Sequence, residues 1–219
     1  PVDAVSSNLL AQWASFLLGK EQFQPIIEQT NKWLSVHQNS IFEDGLYYWK
    51  GLALLQTAAY PQAAGSFDQL LQKFPTSLYA EDALLRKGTA QFYAQEFETA
   101  RDTLYSYIKK YPQGASLDQA YFFLGEVENL AGNYELALQH FKKADSITQL
   151  QDVHDSSAFR IGTIFETLTR YEEMVAHFKA YIGRFGEDGR LTDAIYELGR
   201  GYEFTQQPNA MLALFREFI

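Results

Sequence analysis

The segment DQAYFFLGEVENLAGNYELALQHFKKA, residues 118–144, carries the periodicity of the whole chain. Its Gly125 lies in otherwise helix-favouring sequence, and glycine returns in both directions at Gly51, Gly88, Gly162 and Gly199, each 37 residues from the next. A glycine inside a helix costs about 1 kcal/mol against alanine, so a return this regular needs a packing reason. A fixed period of this length implies one supersecondary unit repeated and stacked, each copy burying its apolar face on its neighbours.

With the recurring glycine as position 8, units begin at Ser7, Asp44, Glu81, Asp118, Asp155 and Thr192, six in all with the last incomplete. Position 8 reads Ala14 and then the five glycines; position 20 reads Ile26, Ala63, Ala100, Ala137, Met174 and Met211. Helices pack about 8 to 10 Å apart and need small residues where they cross most closely, so position 8 is expected to face position 20. Position 17 is aromatic in Phe23, Tyr60, Phe97, Tyr134 and Tyr171, with Pro208 in the last unit. Position 24 is Phe67, Leu104, Phe141, Phe178 and Phe215, with Thr30 in the first. Aromatic columns at helical spacing read as core seams between helices.

The punctuation places two helices in each unit. Ser40 with Glu43, and Ser116 with Gln119, have capping-box spacing before a first helix. Pro25, Pro61 and Pro208 fall at the starts of second helices, where a missing N–H is harmless, and Pro75 and Pro112 fall where second helices must end. The segment with Gly183, Gly186 and Gly189 reads as a turn with glycine at helix ends.

These residues resemble the tetratricopeptide repeat (TPR) family, whose units carry Leu at 7, Gly at 8, Tyr at 11, Ala at 20, Phe at 24 and Pro at 32. The unit from Asp118, with Tyr121, Leu124, Gly125, Ala137, Phe141 and Ala144, is the clearest match, and nearly the whole chain is covered. The period is three residues longer than the family's usual 34. The unit ends Phe74-Pro75-Thr76-Ser77 and Tyr111-Pro112-Gln113-Gly114 are similar to those of bacterial envelope members, including periplasmic Tol-Pal coordinators and outer-membrane assembly lipoproteins. The expected fold is all-α, a right-handed superhelical solenoid of about six helix-turn-helix units forming a single array over residues 1–219. The same resemblance implies a periplasmic or envelope location.

Composition narrows the function. The chain has 219 residues, 47% of them hydrophobic, and a formal charge of −9, which opposes the basic footprint that nucleic acid or an anionic membrane would need. Acidic side chains are concentrated after residue 110, where 16 face 9 basic ones, against 11 and 9 before it. There is no cysteine, which removes disulfides, thiolate catalysis and Cys-ligated zinc. The Walker, G-x-S-x-G, H-E-x-x-H and G-x-G-x-x-G patterns are all missing. His140 and His177 share position 23, but equivalent positions in successive units lie too far apart to share one ion. All four histidines read as surface polarity, and no enzyme activity, metal or small-molecule cofactor is expected.

In TPR arrays the first helices line the concave face, and the resemblance makes positions 2, 5, 9 and 12 the ligand-facing ones. Position 5 reads Ala11, Tyr48, Leu85, Phe122, Phe159 and Tyr196, an apolar column rich in aromatics. Position 9 includes Leu52, Thr89, Glu126 and Arg200, and position 12 includes Leu55, Phe92, Asn129, Glu166 and Glu203, so the groove is expected to be apolar early and acidic late. The column itself is equally consistent with packing between neighbouring first helices. The Lys and Asn clamp with which some members hold a peptide carboxylate is missing: Ala11 pairs with Ser15, Tyr48 with Leu52 and Leu85 with Thr89.

The expectation is a scaffold that holds a protein or peptide segment through Tyr48, Leu52, Phe92, Phe122, Phe159, Tyr196 and Arg200. The alternative is a structural spacer or oligomerisation module of a larger envelope protein. The segment AMLALFREFI, residues 210–219, is apolar at eight of ten positions and stops inside a second helix. That implies a fragment of a longer array or association through exposed ends.

Overall fold

A computed structural model describes residues 2–37, 43–185 and 190–218. These form twelve α-helices. They are α1 (Val2–Leu18), α2 (Phe23–Val36), α3 (Asp44–Gln56), α4 (Tyr60–Lys73), α5 (Ala80–Tyr93), α6 (Phe97–Lys110), α7 (Leu117–Leu130), α8 (Tyr134–Ile147), α9 (Gln151–Thr167), α10 (Tyr171–Phe185), α11 (Leu191–Phe204) and α12 (Pro208–Phe218). Odd-numbered helices are the first of each pair and even-numbered ones the second. Among the described residues there is no strand. The architecture is a TPR-like solenoid of helix-turn-helix units, and the chain divides into two compact parts, residues 1–116 and 117–219.

Every second helix starts on its position 17 residue, and Pro25, Pro61 and Pro208 all lie in first turns. Pro75 and Pro112 follow the ends of α4 and α6, so proline marks the boundaries as expected. Ser40, Gly186 and Gly189 lie outside the described residues, while Gly183 is inside α10 near its end.

The turn inside each pair follows one rule. Position 15 takes positive φ in every unit, at Glu21, Ala58, Gln95, Thr169 and Gln206 (φ 56–63°) and at Gly132 (φ 78°). The amide at position 16 then returns to the carbonyl at position 11, as in Glu96 to Gln91 at 2.9 Å and Arg170 to Phe165 at 2.8 Å. The amide at position 15 returns to position 12, as in Gln95 to Phe92 at 2.9 Å. This is a Schellman cap, which closes the first helix and turns the chain into the second. Five of the six sites tolerate it without glycine.

The recurring glycine faces a different neighbour from the one the spacing implies. A Cβ on Gly51 would lie 2.6 Å from Phe67, on Gly125 2.7 Å from Phe141 and on Gly162 2.5 Å from Phe178; on Gly88 it would lie 2.9 Å from Leu104. Position 8 therefore opposes the large position 24 of its own second helix, not the small position 20. The position 24 side chain occupies the space that a Cβ would need, which excludes any side chain there. The first unit fits the same rule: where position 24 shrinks to Thr30, position 8 is Ala14, and both are fully buried.

Position 24 is core as expected, with Phe67, Leu104, Phe141 and Phe178 fully buried. Position 17 is half-buried instead. It joins neighbouring units: Tyr60 stacks on Tyr93 at 5.2 Å and Tyr171 on Phe204 at 4.5 Å, each ring sitting beside position 13 of the following unit. Position 1 carboxylates anchor the segments leading to the next first helix. Glu81 accepts from the Tyr107 hydroxyl at 3.1 Å and from the Ala115 amide at 2.9 Å, and Asp155 accepts from the Tyr181 hydroxyl.

Candidate functional site

Within each part, first helices touch one another, α1 with α3, α3 with α5, α7 with α9 and α9 with α11, whereas among the described residues no second helix pairs with another second helix. Elements that approach on one side and diverge on the other form a curve. The first helices therefore lie on its inner side in each part, and positions 5, 9 and 12 can be located on that layer.

In the first part, Tyr48 is half-buried and donates its hydroxyl to Asp82 Oδ2 at 2.8 Å, one unit on. Its ring stacks on Tyr79 at 4.5 Å and meets Trp49 and Phe67 edge-on. Burial, with Asp82 second, raises the phenol pKa well above its ordinary value, so Tyr48 stays a neutral donor. Leu52 and Leu55 are half-buried against the core around Phe67 and Leu70. Phe92 is half-buried with its ring edge-on to Tyr93 and tilted against Phe97. A groove of 310 Å³ opens beside Ala11, between the starts of α1 and α3 and the exposed Leu78 with Tyr79.

In the second part, Phe122 is half-buried, edge-on to Phe141 at 5.7 Å. It lines a groove of 480 Å³ with Gln119, Phe123, the exposed Leu150 and Val153. Phe159, at the same repeat position, is a core residue: 9% exposed, edge-on to Phe178 and Tyr181, with the Arg190 guanidinium 5.1 Å over its ring. Tyr196 is 61% exposed and is flanked by the Arg200 guanidinium at 5.9 Å. One column thus yields a core ring, a groove wall and an exposed ring.

The late part of the face is not a bare acidic surface. Glu126 takes two bonds from Arg160 of the next first helix, at 2.6 and 3.1 Å. Glu166 takes two from Arg200 of the one after, with a 2.9 Å bond to Nη1, and Arg200 also reaches Glu197 at 3.2 Å. Planar bidentate pairs of this kind fix geometry as well as charge. Burial raises the Glu197 carboxyl above its usual range, against the opposing pull of Arg200. Arg200 is thus a cross-link between first helices, and the acidity expected of positions 9 and 12 is largely neutralised from within.

The sequence reading missed Leu78, Tyr79, Leu150 and Val153, which border the two grooves, and the Arg–Glu ladder. The ladder had a signal: Glu126 to Arg160 and Glu166 to Arg200 are both 34 apart, three short of the period, which is the offset between facing positions of successive first helices.

The histidines are not surface groups. His140 is buried, with its ring 5.9 Å from Tyr121, and His177 Nε2 lies 2.7 Å from the Ala158 carbonyl, to which the neutral ring donates. Burial lowers the pKa of both. Among the described residues no group of three His, Cys, Asp or Glu side chains could hold a metal, and no helix is long and apolar enough to cross a membrane.

Residues 43–185 match the YfiO family, described as outer membrane lipoprotein. The chain belongs to that family. No curated protein matches it. A TPR protein from Parabacteroides merdae is similar in structure, with TM-score 0.73 and 14% identity over 97% of this chain and 78% of that one. MamA of Desulfovibrio magneticus RS-1 gives 0.66 and 18% over 81% and 93%, and RapI gives 0.74 and 16% over 87% and 57%. These likenesses are of fold. As a fold class, TPR-type solenoids present extended surfaces that bind other proteins.

Proposed function

We propose that this YfiO family member is a non-catalytic scaffold of the bacterial cell envelope, holding an extended or helical segment of another protein on its first-helix layer. In the first part Tyr48, Leu52 and Phe92 supply the contacts, and in the second, taken by itself, Phe122 and Tyr196 do. Phe159 supports the layer from the core, and Arg200 braces it.

The observation that carries this reading is the division of labour on the layer. Its Glu126 and Glu166 carboxylates are paired with Arg160 and Arg200, while apolar groups at positions 5, 9 and 12 stay half-buried or exposed, and a groove opens beside position 5 in each part, at Ala11 and at Phe122. A layer with apolar groups accessible and its arginines already engaged by its own carboxylates favours a partner that brings apolar side chains rather than a charged terminus. The test is selection of peptides from a displayed random library on the immobilised chain, followed by affinity measurement. Leu52→Glu should weaken peptides held by the first part at least tenfold, Phe122→Glu should do the same for peptides held by the second, and Tyr105→Glu, on a second helix, should leave both unchanged. Peptides indifferent to both face variants would reject the reading.

A further inference from the structure

The three tyrosines at position 17 differ in what lies against them. Tyr60 is stacked by Tyr93 and Tyr171 by Phe204, each from position 13 of the following unit. For Tyr134 that position is Thr167, whose hydroxyl turns back to donate to the Thr163 carbonyl of its own helix at 3.2 Å. Among the described residues no aromatic ring stacks on Tyr134, which is half-buried, with Leu168, against the core of the second part.

A groove of 550 Å³ opens here, lined by Gly132, Asn133, Tyr134, Glu135, Leu136 and Leu168, all within residues 117–219. Part of its wall is bare backbone. Position 15 makes the same left-handed turn with a side chain in the other five units, so the turn does not require a glycine at Gly132. A Cβ there would meet nothing within 4 Å, so packing does not require one either. The missing side chain leaves the groove open beside the Tyr134 ring.

The rim carries spare negative charge. The Arg170 guanidinium is held by Glu173 at 2.5 and 2.6 Å and lies 5.0 Å over the Phe165 ring, but it reaches Glu135 only at 3.4 and 3.5 Å. Glu135 is 65% exposed, so its carboxylate keeps acceptor capacity for a cation arriving from outside.

We propose that this groove takes an aromatic side chain of a partner protein, carried beside a lysine or arginine. The ring stacks on Tyr134, as Tyr93 and Phe204 do on Tyr60 and Tyr171, with Leu136 and Leu168 flanking it. The neighbouring cation is met by Glu135. Charge complementarity extends beyond the rim, since the chain after residue 110 carries 16 acidic side chains against 9 basic ones. The site uses no residue assigned to the inner layer and stands without that reading.

Chemical-shift mapping of backbone amides in the 219-residue chain, with acetyl-Lys-Trp-Lys-amide as the probe, tests the assignment. The probe should move the amides of residues 132–136 and 167–170. Acetyl-Lys-Ala-Lys-amide should move none of them. Acetyl-Glu-Trp-Glu-amide should bind about fivefold more weakly, a preference that Glu135→Lys should remove. Thr167→Phe, at an exposed position, puts a ring at position 13 and should abolish the shifts while the circular dichroism spectrum stays native. Tyr134→Ala should abolish them as well. No shifts, shifts confined to other residues, shifts as large with the alanine peptide, equal affinity for the glutamate peptide, or shifts that persist in Thr167→Phe would each overturn the proposal. Leu52→Glu and Phe122→Glu should leave the shifts unchanged, so this result and the inner-layer result can fail separately.

Discussion

The two parts of the chain share a repeat frame but distribute their apolar residues oppositely. In residues 1–116 positions 9 and 12 of the inner layer carry Leu52, Leu55 and Phe92, while position 7 of α3 and α5, at the joint between pairs, carries Lys50 and Lys87. In residues 117–219 positions 9 and 12 of the inner layer carry Glu126, Glu166 and Arg200, while position 7 of α9 and α11 carries the buried Ile161 and Leu198. Apolar area buried at a joint stabilises the stack, and apolar area left on the layer is available to a partner. The first part has given up joint burial for an apolar face. The second has apolar joints and a face braced by ion pairs, with Phe122 and Tyr196 left on it.

Exchanging these choices separates them. Leu198→Lys places an amine in the joint of the second part and should cost about 3 kcal/mol by denaturant unfolding, because the buried charge gains no partner. The reverse change, Lys50→Leu, should stabilise by about 1 kcal/mol, since burial already lowers the pKa of that half-buried amine. A loss of stability on Lys50→Leu would show that position 7 is not limited by burial in the first part.

The glycine interlock is common to both parts, with a graded response. Gly125→Leu should cost about 2 to 3 kcal/mol because the Phe141 ring cannot yield, Gly88→Leu less because Leu104 can change rotamer, and Gly199→Leu least because Phe215 is only half-buried. Thermal melts in the order 199, 88, 125 would contradict the assignment.

Much of this frame was legible beforehand. Helix starts at position 17 and ends before Pro75 and Pro112 follow from local chemistry that one sequence displays. The partner of position 8 was not read, because a period identifies a face and not what lies across it. The pairing of Ala14 with Thr30 held the clue, since both depart from their columns in the same unit. The left-handed residue at position 15 left no trace in Glu21, Gln95 or Thr169, because the cap's hydrogen bonds impose it on ordinary residues. At position 5 the sequence could not separate Phe159 from Tyr196; Arg190 and Tyr181 bury the first, and these belong to other elements.

The Arg–Glu ladder should contribute less than the joint. A double-mutant cycle on Glu126 and Arg160 should give a coupling of at most about 1 kcal/mol, reduced for the exposure of the arginine and falling with salt. Tyr48→Phe, which removes the Asp82 bond, should give a similar loss that is indifferent to salt.

The smallest effect is a pH dependence that belongs to the second part. His140 and His177 have folded pKa values lowered by burial, so their contribution to stability is complete above their ordinary value of 6.5 and is lost as pH falls below it. Melting temperature should fall on acidification below that point, and His177→Gln should flatten the fall. An unchanged slope in that variant would place the pH dependence elsewhere.

Amide hydrogen exchange on the complex with a peptide held by the first part tests the inner-layer assignment most directly. The account predicts new protection in α3 and α5, around Tyr48, Leu52 and Phe92, with α4 and α6 unaffected and the protection absent in Leu52→Glu. Protection confined to the second helices, or retained at full strength in that variant, would contradict it.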